Sequence, residues 1–165
     1  CPTPVTLIDD SGPPMSDAYL APCLQKKWKT LWNLGSTLPP GCPGCNAPNG
    51  GGIVNYIPYL QARWPNATMG LISATHDSVI STFFGFGSDG CSSSTPLSGA
   101  TYEAGLVDLR DNYLAASPRW GSYYIDSVSH TWLLGPGFYT TSVKGKKLSD
   151  WFGELLSGQP SHIAP

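Results

Sequence analysis

The amino-acid sequence predicts an α/β fold, a parallel sheet whose strands are joined by helices. Three observations carry this. Short β-branched or small-residue runs alternate along the chain with stretches whose apolar residues recur at helical spacing. Glycine and proline, 19 and 16 of 165 residues, are interleaved with those runs and mark many turns between short elements. Hydrophobic residues make up 41% of the chain and charged residues 12%, which is enough apolar surface for a core and too little charge for a disordered chain or a charged coiled coil. A net charge of −2 excludes a basic nucleic-acid binder and a polybasic membrane-surface protein.

In chain order, Val5 to Ile8 is a β-branched run that stops at Asp9-Asp10-Ser11-Gly12-Pro13-Pro14, as a buried strand entering a tight loop does. From Pro22 to Trp32 the residues Leu24, Trp28, Leu31 and Trp32 recur at helical spacing, with Pro22 tolerated in the first turn. Gly35 to Gly52 is a Pro- and Gly-rich loop pinned by Cys42 and Cys45. Ile53, Val54, Ile57, Leu60 and Trp64 share one helical face, on a helix that Pro58 would kink or shorten. Thr68 to Thr75 reads as a second buried strand, followed by His76-Asp77 and a short apolar helix through Val79, Ile80, Phe83 and Phe84.

Gly85 to Gly99 is a Gly/Ser loop containing Cys91, and Tyr102, Leu106, Leu109, Tyr113 and Leu114 mark the next helix. Tyr123 to Val128 reads as a third strand, with His130 immediately beyond it. Val143, Leu148, Trp151, Phe152 and Leu155 indicate an amphipathic C-terminal helix before a tail that carries His162. No repeat or linker divides residues 1–165, so a single domain is expected. No apolar stretch approaches the ~20 residues of a membrane-spanning helix. Five cysteines in a Trp- and Tyr-rich, lysine-poor chain point to a secreted or periplasmic protein with disulfides, in which five cannot all pair with one another. Cys42-Pro43-Gly44-Cys45 lacks the second ligand pair of a structural zinc site, so no metal is expected.

Functional groups of an open α/β sheet gather beyond the carboxyl ends of its strands. Asp10, Asp77 and His130 hold such positions. An Asp followed in sequence by a His is the order of the acid and base in α/β-hydrolases, where histidine takes the proton of a serine hydroxyl and the carboxylate fixes the imidazole tautomer. A loop cap and an ordinary part-buried imidazole have the same spacing. No serine sits in Gly-x-Ser-x-Gly, the turn that presents such a nucleophile. The nearest approach, Gly90-Cys91-Ser92-Ser93-Ser94, follows a glycine loop and comes after Asp77, so it reads as a surface serine tract.

Four segments in order resemble the C-terminal half of the pectinacetylesterase and Notum carboxylesterase family. They are Val5-Thr6-Leu7-Ile8-Asp9-Asp10-Ser11-Gly12, Ser73-Ala74-Thr75-His76-Asp77-Ser78, Asp126-Ser127-Val128-Ser129-His130-Thr131-Trp132 and Ser142-Val143-Lys144-Gly145-Lys146-Lys147-Leu148-Ser149-Asp150-Trp151. The resemblance implies a secreted α/β-hydrolase that cleaves carboxylic esters, with Asp77 as triad acid, His130 as triad base and no cofactor. It implies that Asp10-Ser11-Gly12 shapes the pocket floor. The family's Gly-x-Ser-Ala-Gly-Gly elbow lies upstream of the segment matched by Val5 to Ile8, so the chain is expected to be a C-terminal portion, inactive alone, whose partner is the other half of the same domain. Pro14, Met15, Val79, Phe83 and Trp132 follow the matched motifs closely and are expected to line the pocket for the ester substrate, an acetylated polysaccharide or another acylated molecule.

Two other readings stand beside this one. Asp10-Ser11-Gly12 after a first strand suits a self-contained SGNH/GDSL-type esterase with Ser11 as nucleophile, although that class has Gly-Asp-Ser and a late Asp-x-x-His where this chain has Asp126-x-x-x-His130. Six Trp and eight Tyr suit the sugar-stacking platforms of a secreted carbohydrate-binding module, a class that is usually all-β.

Overall fold

A computed structural model describes residues 5–165; Cys1-Pro2-Thr3-Pro4, and with it any pairing of Cys1, lie outside the described residues. The chain is α/β. Strands β1 (Thr6–Asp10), β2 (Thr68–Ala74), β3 (Trp120–Ile125) and β6 (His162–Ile163) form a parallel sheet in the order β1-β2-β3-β6. Helices α1 (Pro22–Leu31) and α2 (Tyr56–Arg63) connect β1 to β2. Helix α3 (Ser78–Gly85), the single turn α4 (Ser88–Cys91) and α5 (Gly99–Leu109) connect β2 to β3. The turn α6 (Gly137–Thr140), the hairpin β4 (Ser142–Val143) and β5 (Lys146–Lys147), and α7 (Leu148–Leu156) follow β3.

Every residue of β2 and β3 is buried, as parallel strands covered on both faces require. Alternation of side chains divides the core in two. Met69, Leu71 and Tyr124 pack with Leu24, Ile57, Leu60, Leu106 and Leu109 from α1, α2 and α5, whereas Ile72, Tyr123 and Ile125 pack with Val143, Leu148, Trp151 and Leu155 on the α7 side. Helix α7 approaches closely because Gly70 and Gly121 are paired in register beneath it. A Cβ on Gly70 would lie 2.5 Å from Leu155 and 3.0 Å from Trp151.

Several boundaries differ from the sequence expectation for physical reasons. Pro58 does not kink α2, because the helix starts at Tyr56 and puts proline in its first turn, where no intrahelical N–H bond is lost. Strand β3 starts at Trp120, three residues before Tyr123, because pairing with Met69–Leu71 recruits Gly121 and Ser122, which have little strand preference of their own. Val143 belongs to the hairpin, whose Lys144-Gly145 turn has φ of 49° and 81°, and α7 starts only at Leu148. The tail supplies the fourth strand, with His162 and Ile163 opposite Ser122 and Tyr123.

The loop of residues 35–52 is pinned by a Cys42–Cys45 disulfide, and a Cys23–Cys91 disulfide ties the start of α1 to α4. The Lys29 ammonium donates to the carbonyls of Cys45, Gly50 and Gly51 at 2.7–2.9 Å and fastens the same loop to α1. Among the described residues, no helix is long and apolar enough to cross a membrane.

Candidate active site

Beyond β2 the chain turns through Thr75 and His76 into Asp77, which caps α3. One oxygen of its fully buried carboxylate accepts the N–H groups of Val79 and Ile80, both at 2.9 Å, satisfying two of the helix's free donors. Beyond β3 the chain stays bonded to this turn. Thr75 N–H donates to Ile125 C=O at 2.8 Å, His76 N–H to Ser127 C=O at 3.1 Å and Ser78 N–H to Val128 C=O at 3.1 Å. That ladder of loop contacts carries His130 to Asp77, 53 positions away, and the second carboxylate oxygen lies 2.9 Å from His130 Nδ1.

Asp77 and His130, beyond successive strands, are therefore brought together. With Nδ1–H donating to the carboxylate, the neutral ring has its lone pair on Nε2. Among the described residues no hydrogen bond reaches Nε2, and the side chain is 34% exposed. The arrangement is a base with an accessible nitrogen, oriented by a buried carboxylate whose other oxygen is held by a helix N-terminus.

The Asp10-Ser11-Gly12 element reaches the same region from the end of β1. The Asp10 carboxylate accepts the N–H groups of Trp132 and Leu133 at 2.9 Å each. Ser11 is 1% exposed, and its hydroxyl donates to the carbonyl of His130. The element thus binds main chain of the histidine loop. These contacts span about 120 positions and leave no trace in local sequence beyond the polar Asp-Ser pair at a strand end.

Of the residues expected to line a pocket, Val79 and Phe83 are exposed on α3, and Phe83 borders a groove of about 460 Å³ with Trp28, Leu31, Trp32 and Phe86. Trp132 is half-buried and packs toward the α7 side of the core, with its indole N–H buried and without a hydrogen-bond partner among the described residues. The expectation for Met15 is corrected. Met15 is fully buried in the core, seated on Gly105 of α5, where a Cβ would come within 2.6 Å of its sulfur, and presents nothing to a ligand. Pro14 lines a small cavity of about 90 Å³ with Leu7, Asp9, Leu60 and Trp120, whose walls include neither Asp77 nor His130. Many aromatics that suit sugar stacking are interior: Tyr102, Tyr123, Tyr124, Trp120 and Trp151 are all buried. The aromatic edge formed by Trp28, Trp32 and Phe86 was not anticipated from sequence; its signal is the pair of apolar residues ending the first helical pattern.

His76 stands beside the site, 2.9 Å from the Thr75 hydroxyl, 3.5 Å from Asp126 and 3.9 Å from Glu103. Among the described residues no group of three ligating side chains is placed to hold a metal ion.

Asp9 faces the small cavity beside Pro14. Burial pushes its carboxyl above the usual carboxylate range, against the Gly12 N–H that it accepts at 2.8 Å, and the neighbouring charge of Asp10 pushes it further. The native state therefore binds the proton more tightly than the unfolded chain, so stability falls as pH rises from about 4 through the raised value. Asp9→Asn keeps the acceptor for Gly12 and removes the charge. It is expected to raise Tm at pH 7 and to lose that gain at pH 3, in paired thermal melts.

Fold and site together define an α/β protein with an oriented Asp–His pair at the carboxyl ends of parallel strands. Compared with models of protein families, with curated proteins and with solved structures, the chain matches none.

Proposed function

We propose that this chain contributes the acid and base of a serine-dependent carboxylic ester hydrolase of the pectinacetylesterase/Notum type, an α/β-hydrolase acting in a secreted or periplasmic setting. The observation that carries the reading is the 2.9 Å contact of His130 Nδ1 with the buried Asp77 carboxylate, which leaves Nε2 accessible. The ordered motif resemblance and the two disulfides support it.

In this reading His130 Nε2 removes the proton of a serine hydroxyl as that oxygen attacks the ester carbonyl. The imidazolium then protonates the departing alcohol, and water repeats the sequence on the acyl-enzyme. Asp77 keeps Nδ1 protonated and stabilises the imidazolium. The nucleophile is assigned to a Gly-x-Ser-x-Gly turn outside the 165 residues. Ser11 does not suit that role, since its hydroxyl is buried against the His130 carbonyl. Strand β1 is an outer strand of the sheet, with Leu7 44% exposed, and so offers an edge for the nucleophile strand. The substrate class is an acetylated polysaccharide or another acylated molecule.

The test compares two proteins. A longer chain that includes the upstream elbow is expected to hydrolyse p-nitrophenyl acetate and to be labelled on its elbow serine by a fluorophosphonate, while the 165-residue chain does neither. Robust turnover by the 165-residue chain, with label on one of its own serines, would overturn the reading in favour of a self-contained esterase.

A further inference from the structure

We infer that Asp10 and Ser11 are positioning residues, which hold the His130 ring against Asp77 by clamping the main chain of the histidine loop to the end of β1. The inference rests on the proposed role of the Asp–His pair and deepens it.

Asp10 is the last residue of β1, held in register opposite Ile72 of β2. Its Oδ2 accepts two consecutive N–H groups, those of Trp132 and Leu133, at 2.9 Å each, and its Oδ1 lies 3.2 Å from the first of them. Adjacent main-chain donors converging on one carboxylate form a charge-assisted anchor. Ser11 adds a contact at the carbonyl of His130. Its φ of 76° lies where side-chain-bearing residues are rarely found, and its own N–H is fixed to Ile72 C=O at 2.8 Å. That strained backbone aims the hydroxyl at the His130 carbonyl and leaves it 3.3 Å from Asp10 Oδ1. A non-glycine residue held at positive φ beside a functional group is where strain is retained for a purpose.

The ring is therefore fixed by two strands. Asp77, after β2, takes Nδ1, and Asp10-Ser11, at the end of β1, takes the carbonyl of His130 and the amides of Trp132 and Leu133. The rest of the loop is tied by Ser78, whose N–H and hydroxyl donate to the Val128 carbonyl at 3.1 Å each, and by Trp132 and Leu133 packed on the α7 side of the core, whereas Val128 and Leu134 have largely exposed side chains. Because the anchor is the end of β1, the height of the base is set relative to the strand at the open edge, where the nucleophile strand is assigned. The clamp thus registers the base against the nucleophile rather than merely closing a loop.

The test reads the ring directly and needs no turnover. In the 15N-labelled chain, the His130 Nδ1–H proton is expected as a downfield resonance, with two-bond 1H–15N spectra showing a single neutral tautomer; Asp77→Asn should abolish both. Asp10→Ala and Ser11→Ala should also lose or broaden the downfield proton and give His130 the averaged tautomers of a free histidine, leaving the His76 and His162 signals in place. Asp10→Asn, which retains an acceptor, should restore part of the signal. In the longer chain, Asp10→Ala should lower kcat about 10²-fold with little change in KM, as displacement of a catalytic group does. If Asp10→Ala and Ser11→Ala lower Tm but leave the His130 resonance intact, the clamp is only structural and the inference fails. If the unsubstituted chain shows no Asp77-dependent resonance, the Asp–His pair fails with it. Should Asp10→Ala not fold, Ser11→Ala, which removes one neutral hydroxyl, decides the same question.

Discussion

If the proposed hydrolase reading holds, Asp77→Asn is expected to lower kcat of the longer chain about 10⁴-fold while leaving the fold intact. The two functions of this carboxylate are separable because they use different oxygens. The oxygen that accepts Val79 and Ile80 N–H is retained in asparagine, itself a good helix N-cap, so α3 keeps its start. The oxygen facing His130 becomes an NH2 donor, which cannot accept Nδ1–H. The imidazole then moves its proton to Nε2, the nitrogen that has to receive the serine proton, and the base is lost without loss of structure. Asp77→Ala should lose activity comparably and also about 1 kcal/mol of stability from the missing cap. His130→Ala removes the base itself, and its loss should reach about 10⁶-fold, since triad members act as a unit. Kinetics with p-nitrophenyl acetate, beside thermal melts of each variant, separate these outcomes. Activity in Asp77→Asn near that of the unsubstituted enzyme would show that the 2.9 Å contact is a structural cap and an incidental imidazole.

The second large effect is on stability. Replacing Cys23 and Cys91 together by serine should destabilise the fold by about 4 kcal/mol, from the chain entropy released when a 68-residue closure is opened. Against a typical total of about 5–15 kcal/mol, that is a large share. The same change at Cys42 and Cys45, which close only three residues, should cost about 2 kcal/mol on this basis. Urea unfolding of the two double variants gives both values. Equal losses, or a loss below about 1 kcal/mol for Cys23 and Cys91, would show that α1 and α4 are held by packing and by the Lys27 bond to the Cys91 carbonyl rather than by the crosslink.

Much of the fold is legible in local pattern, and so are the ends of its strands. The run at Thr68–Thr75 is β2 (Thr68–Ala74) and the helical spacing of Leu24, Trp28 and Leu31 is α1; the run at Val5–Ile8 marks β1, although that strand is Thr6–Asp10 and is only partly buried, because as an edge strand it has a neighbour on one side alone. Asp77 and His130 lie just beyond β2 and β3, while Asp10, expected in the loop, is the last residue of β1. The parts that were not legible depend on partners distant in the chain. His162 and Ile163 form a strand only because Ser122 and Tyr123 offer free main-chain groups. Gly121 and Ser122 are strand residues because Gly70 and Leu71 lie opposite. Met15 follows the Asp-Ser-Gly turn in sequence, yet it is carried into the core because Gly105 of α5 leaves room for its sulfur.

For the candidate site, residue types in order and their positions after strands were enough to nominate an acid and a base, since both depend on short-range pattern. Which oxygen of Asp77 meets which nitrogen of His130, and that Asp10 and Ser11 grip the histidine loop, were decided only when parallel pairing brought three strand ends together. Periodicity records which face of an element is buried. It holds no information on contacts between residues 53 or 122 positions apart, which arise from sheet register and from the need of buried polar groups to find partners.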